Sequence, residues 1–388
     1  MKVHCATEPG TFEAQLKSDG YDQARCVART PASAFVARTP SSVDSPDGAS
    51  GGQSRTGRPR HAAGRAHSWL AVLLFAHFLP MLAAPLSAAD QVAGQAAVII
   101  AVGASGEEAY ADDFARWAAH WQKAGAAGQA RVQTIGTGAE EKDALARLHA
   151  AVAAEAKESA DPLWLVLLGH GTFDGRDGKF NLRGDDLAAS EVAAWLKPCT
   201  RPIVIVCGFS ASGAFLKPLS APGRVVVTAT KSGAENNFAR FGGYFAEAVA
   251  DPAADLDHDG QTSVLEAWLA AAQRTAEFYK TEGRIATEHS LLEDNGDGLG
   301  TPPEWYEGVR VIKKSKDGKA PDGLRASQLV LVPNAAERAL SPELRAQRDA
   351  LETELAKLRE AKPALPEKEY FAQLEALLLR IARLYPKR

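Results

Sequence analysis

From residue 96 onward, apolar runs and helical periods take turns along the chain. "AAVIIAVG" (96–103) is a β-branched apolar run of strand length. "EEAYADDFARWAAHWQKAG" (107–125) carries a 3.6-residue period, with Phe114, Trp117, Ala118 and Trp121 on one face. "ARVQTIG" (130–136) predicts a second strand, and residues 140–159 a second helix. "PLWLVLLG" (162–169) is nearly all apolar, as in a strand buried on both faces. A helix over 189–197, strands over 202–206 and 223–230, and a helix over 240–251 continue the alternation. The pattern predicts an α/β fold, a mostly parallel sheet with helices on both faces. Chemistry in such sheets sits beyond the carboxyl ends of the strands.

Two predicted strand ends carry reactive residues. The third runs into "GHGTFDG", which puts His170 and Gly171 at its mouth, and the fourth runs into "CGFSASG", with Cys207 and Ser210. A histidine at one tip and a thiol or hydroxyl at the next is an arrangement for nucleophilic catalysis. The imidazole takes the nucleophile's proton and returns it to the leaving group. Gly171 has no side chain, so its N–H can approach a developing oxyanion closely. The plain alternatives are a flexible Gly-His-Gly turn and a Cys207 that is a small buried hydrophobe.

"LWLVLLGHG", about forty residues, then "IVIVCGFSASG" resembles the caspase–legumain group of cysteine peptidases over roughly residues 96–250. The resemblance implies a caspase-hemoglobinase-like sheet, a His-Gly at one strand end and a nucleophilic cysteine at the next. The second motif departs from that pattern. Caspases carry Gln-Ala-Cys followed by Arg, Gln or Gly and then Gly; legumains carry Cys-Glu-Ser-Gly. Aligning "SASG" (210–213) on the latter puts Ser210 in the nucleophile's place, with Cys207 three residues early. Three readings follow: Cys207 acts if the strand ends early, Ser210 acts with His170 as base, or the fold is kept without the reaction. The substrate of an active form would be a peptide or protein. Arg183, Asp185 and Asp186 are the candidates for specificity.

"DLDHDGQTSVLE" (255–266) matches the twelve-residue EF-hand calcium loop at its fixed positions. Asp255, Asp257 and Asp259 supply carboxylates, Gly260 the turn, Gln261 a backbone carbonyl, Ser263 a water-mediated contact and Glu266 a bidentate carboxylate. Predicted helices over 240–251 and 264–280 flank it. "EDNGDGLGTPPE" (293–304) offers Glu293, Asn295, Asp297, the Leu299 carbonyl and Glu304 in the same frame, as the partner of an EF-hand pair. It is degenerate, with Glu first, Gly300 at the pairing position and Pro302–Pro303 before the last ligand. The cofactor expected is Ca²⁺.

The remaining sequence sets the frame. Residues 309–332 suggest two short strands around a Lys/Gly/Pro loop. Residues 341–362 and 366–388 predict an αα-hairpin, with stripes Leu344, Leu351, Leu355, Leu358 and Phe371, Leu374, Leu378, Ile381, which can pack on itself, on the core or, by self-association, on a second chain. At the other end, residues 1–68 have the composition of a disordered segment. Four arginines in "RTGRPRHAAGR" (55–65) precede the apolar "SWLAVLLFAHFLPMLAAPLSAAD" (68–90). This reads as a signal peptide cut after Ala89, implying export, with a membrane anchor as the alternative. Its depth in the chain implies a start codon downstream of Met1. After cleavage no span is expected. Residues 1–89 hold nine Lys/Arg and six Asp/Glu, a net +3, so with −4 on the whole chain the rest carries −7, which gives nucleic acid no electrostatic footing. Cys199 and Cys207, at opposite ends of one strand, are too far apart for a disulfide. GxGxxG is absent after the first strand, which removes a dinucleotide fingerprint. The expected organisation is 1–89 leader, 90–250 α/β domain, 251–308 calcium region and 309–388 strands and hairpin.

Overall fold

The structure, a computed structural model, describes residues 95–138, 141–155, 157–315 and 320–385. The leader expected over residues 1–89 lies outside them. The sheet is built from β1 (Ala97–Val102), β2 (Arg131–Ile135), β3 (Leu163–Gly169), β7 (Ile203–Phe209), β8 (Arg224–Thr228) and β9 (Leu291–Glu293). Its order is β2-β1-β3-β7-β8-β9, parallel throughout except for antiparallel β9. The chain leaves β1 toward β2 on one side and returns as β3 on the other. The carboxyl ends of β1 and β3 therefore flank the topological switch point, where such sheets open a crevice.

Strand alternation divides the core into two layers. Val98, Ile100, Trp164, Val166, Val204 and Val206 pack against α1 (Glu108–Ala127), α5 (Phe241–Ala248) and α6 (Val264–Thr281). Ile99, Ala101, Leu165, Leu167, Ile205 and Cys207 face α2 (Ala144–Ala154), α3 (Ala189–Leu196) and α4 (Gly213–Leu219). All twelve are at most 1% exposed, and each large aliphatic contributes about 1.5–3 kcal/mol of burial. Gly208 lets α5 approach β7: a Cβ there would lie 2.8 Å from the Cα of Gly242.

Several expectations shift. The fourth predicted strand does not stop at Val206; β7 runs on to Phe209, paired in register with β3 up to Gly169↔Phe209. Between His170 and α3 the chain forms a small antiparallel sheet of β4 (Gly171–Phe173), β5 (Gly178–Phe180) and β6 (Leu187–Ala188). The segment 251–308 is continuous with the sheet, because β9 pairs with β8 through Thr228↔Leu291 to Val226↔Glu293. The described residues of 309–332 hold one short strand, β11 (Arg310–Val311), which pairs with β10 (Tyr306–Glu307). The expected second strand is instead α7 (Leu324–Gln328) and a single bridge from Val330 to Ser263.

After α8 (Ala335–Arg338), α9 (Pro342–Ala361) and α10 (Glu367–Ala382) form the hairpin. Leu351, Leu355 and Leu358 are buried in it as expected. The second helix turns a shifted face inward: Tyr370 and Leu377 are buried, while Phe371 and Leu378 are exposed. Among the described residues no helix is long and apolar enough to cross a membrane.

Candidate functional site

His170 follows β3 directly and points into the switch-point crevice. Its Nε2 meets the carbonyl of Ser105, just beyond β1, at 3.2 Å. The ring packs among Tyr110, Phe114 and Phe238, with centroids 5.0, 5.2 and 5.8 Å away. Desolvation in this aromatic nest lowers the imidazole's pKa, opposed by the Ser105 carbonyl and the Glu107 charge.

Ser210 lies at the end of β7 and is 2% exposed. The N–H of Gly171 donates to its Oγ at 3.0 Å, and that hydroxyl faces the Gly171 carbonyl as donor at 3.2 Å. Gly171 is required for this approach, since a Cβ there would lie 2.3 Å from the Ser210 carbonyl oxygen. The next residue, Ala211, adopts φ +61°, and its N–H is spent on the carbonyl of Glu235 at 2.7 Å. Two backbone donors at this corner, those of Gly171 and Ala211, are thus already engaged. Ser212 closes it from below, its Oγ accepting the N–H groups of Ala229 (3.0 Å) and Thr230 (3.2 Å) beyond β8.

The structure brings His170, Gly171 and Ser210 to one sheet edge but does not join His170 to Ser210. Their hydrogen bonds go to Ser105 and Gly171 respectively. Cys207 is not at a strand end. Its side chain belongs to the α2/α3/α4 layer and is fully buried, which pushes the thiol far above its ordinary pKa. Both Cys199 and Cys207 are free. Arg183 is turned away, donating to the Gly136 carbonyl beyond β2, and Asp185 and Asp186 are exposed.

One polar group at this edge gave no sequence signal. His289 Nδ1 lies 2.5 Å from Glu235 Oε1, with Lys231 Nζ 3.4 Å from the same oxygen. Glu235 Oε2 also accepts the N–H groups of Lys231 and His289. The residues are over fifty positions apart, so no local pattern announces the pair.

The first carboxylate loop lies between a 3₁₀ turn (Pro252–Ala254) and α6. One oxygen each from Asp255, Asp257 and Asp259 falls within 4.8 Å of the others, close enough to share an ion. Desolvation first, then neighbouring Glu266 and Asp259, raises the pKa of Asp257; Asp259 rises likewise. Both side chains lie at the surface, so crowding of like charge is the better account of the shift. Glu266 lies outside that oxygen cluster. Its Oε1 accepts the N–H groups of Leu256 (2.8 Å) and Asp257 (3.1 Å), and its Oε2 completes a capping box with Ser263. Asn334 clasps the loop from outside: its N–H bonds Gln261 Oε1 and its Nδ2 bonds the Asp259 carbonyl.

The second loop is not an EF-hand partner. Strand β9 leads into it and a 3₁₀ turn (Pro303–Trp305) ends it, in place of the two helices that flank an EF-hand loop. Nor do the loops pair, because Ser263 bridges Val330 while Thr301 bridges Leu292. Glu293 is fully buried, Asn295, Leu299 and Glu304 are exposed, and Asp297 is intermediate.

No family model matches the chain, and no curated protein matches it. Solved structures similar to it include protein GSU0716 from Geobacter sulfurreducens, 12% identical over 54% of this chain and 98% of that one, with a TM-score of 0.34. The Drosophila initiator caspase Dronc is 11% identical over 54% of this chain and 82% of its own, TM-score 0.35. Caspase-1 from Spodoptera frugiperda is 10% identical over 52% and 86%, TM-score 0.33.

Proposed function

We propose that the chain is an exported calcium-binding protein built on a caspase/legumain-like α/β domain that does not carry out peptide hydrolysis. The calcium half rests on Asp255, Asp257 and Asp259, whose oxygens converge within 4.8 Å on a loop of EF-hand sequence. Ca²⁺ is a hard cation taking six to eight oxygens, and the Gln261 carbonyl and waters would complete the set. Export is supported by the basic and then apolar run of residues 55–89.

The silent half rests on Ser210. Hydrolysis needs its proton taken by a base while a backbone N–H awaits the oxyanion. Here the hydroxyl faces the Gly171 carbonyl, and the Gly171 N–H is bound to the would-be nucleophile itself. His170, the base the motif supplies, is held by Ser105. Cys207 offers no thiolate, because burial keeps its proton on.

The test is turnover of fluorogenic peptides with Asn, Asp, Arg or Lys at P1 by the full chain in Ca²⁺, beside His170→Ala, Cys207→Ala and Ser210→Ala. The expected result is no rate above that of the three variants. Turnover abolished by His170→Ala and by one nucleophile variant would establish an active peptidase and name its nucleophile.

A further inference from the structure

Glu293 ends β9 with its side chain wholly buried. Its Oε1 accepts the N–H groups of Gly296 (2.7 Å) and Asp297 (3.0 Å), so the carboxyl faces into the loop that follows. Its Oε2 is sealed from solvent and makes no hydrogen bond of good geometry among the described residues. The Ser220 hydroxyl, which accepts the Gly298 N–H at 3.0 Å, borders the carboxyl without closing a bond to that oxygen. Neither protonation state satisfies that oxygen. Ionised, it is a buried anionic acceptor whose one polar neighbour, the Ser220 hydroxyl, is out of hydrogen-bonding geometry; protonated, its O–H meets the same single neighbour. A cation would resolve both.

We propose that the loop 293–299 is a second calcium site, held by Glu293 Oε2, the Asn295 and Asp297 side chains and the Leu299 carbonyl. The proposal rests on reading the chain as a calcium-binding protein, and it assigns an ion to a loop that is not an EF-hand. The backbone is shaped as in the first loop. His258 and Gly260 have φ +61° and +89°; Gly296 and Gly298, at the matching positions, have +80° and +74°. In the first loop the N–H groups of Asp259 and Gln261 bond Asp257 Oδ1 (3.2 Å) and Asp259 Oδ1 (2.9 Å). In the second, those of Asp297 and Leu299 bond Asn295 Oδ1 (2.9 Å) and Asp297 Oδ1 (2.8 Å). The four oxygens are hard, and a set mixing carboxylate, amide and carbonyl suits Ca²⁺ better than a transition metal. Glu304, exposed on the 3₁₀ turn, is not needed for this set.

The position gives the ion a structural task. Glu293 pairs with Val226 of β8, so the ligand is also a sheet residue. The next residue, Asp294, accepts the N–H groups of Gly323 and Ala326 at the start of α7, and Asp322 accepts those of Asp294 and Asn295. An ion here fastens the sheet edge to the 320–326 turn.

Calcium titration calorimetry on the EDTA-stripped full chain tests this, with Glu293→Gln and Asp257→Asn. One ion per loop is expected, Glu293→Gln losing one and Asp257→Asn the other. Equal stoichiometry for the wild type and Glu293→Gln overturns the second site and leaves the first standing. Loss in Glu293→Gln alone supports the second site and removes the first. Should Glu293→Gln not fold by near-UV circular dichroism, exposed Asn295→Ala decides: weakened binding of one ion supports the site, and an unchanged isotherm overturns it.

Discussion

At Gly171 the space for a side chain is already taken, because an added Cβ would lie 2.3 Å from the Ser210 carbonyl oxygen. Gly171→Ala must push β3 and β7 apart at their carboxyl ends, and we predict a loss of about 1–3 kcal/mol in chemical denaturation. His170 makes a different prediction. Its folded-state pKa lies below the unfolded value, so protonation favours the unfolded chain. Its share of stability is complete above about pH 6.5 and is lost as pH falls through the lowered folded pKa. The urea midpoint should therefore fall from about pH 7.5 to about pH 5.5, and fall less in His170→Gln. The sequence placed His170 and Ser210 at neighbouring strand ends because apolar runs announce where strands stop. It did not announce their partners, since Ser105 lies 65 positions from His170 and Gly171 lies 39 from Ser210.

Among elements, the long parallel strands and the amphipathic helices were legible, because burial on two faces or on one stripe writes a period into the chain. Short elements stayed hidden. Strand β9 has three residues and is fixed by β8, and β4–β6 are shorter than any periodic window. Helix α4 contains Pro218, which argues against a helix locally. The hairpin's second helix turns Tyr370 and Leu377 inward while neighbouring Phe371 and Leu378 are equally apolar, so hydrophobicity alone did not choose the face. Helix α6 carries an explicit start signal, the reciprocal bonds of Ser263 and Glu266. Ser263→Ala removes the cap and should cost about 1 kcal/mol of stability, read from the thermal midpoint.

On the scale of the molecule, the sheet edge and the first loop are joined by continuous structure. Residues 241–248 form α5, which packs on β7 through Gly208 and Gly242, and the loop begins at Asp255, four residues beyond Asp251. Helix α6 then returns across the sheet with Trp268 in the same core layer. An ion binding the folded loop and not the unfolded chain stabilises the whole by mass action, about 2.7 kcal/mol at a hundredfold excess over Kd. The most direct measurement is the melting temperature of the full chain in saturating Ca²⁺ and in EDTA, for the wild type and for Asp257→Asn. The wild type should melt about 5 °C or more higher in Ca²⁺, with a smaller gain in Asp257→Asn. Equal melting temperatures in Ca²⁺ and EDTA for the wild type would contradict the calcium-binding account.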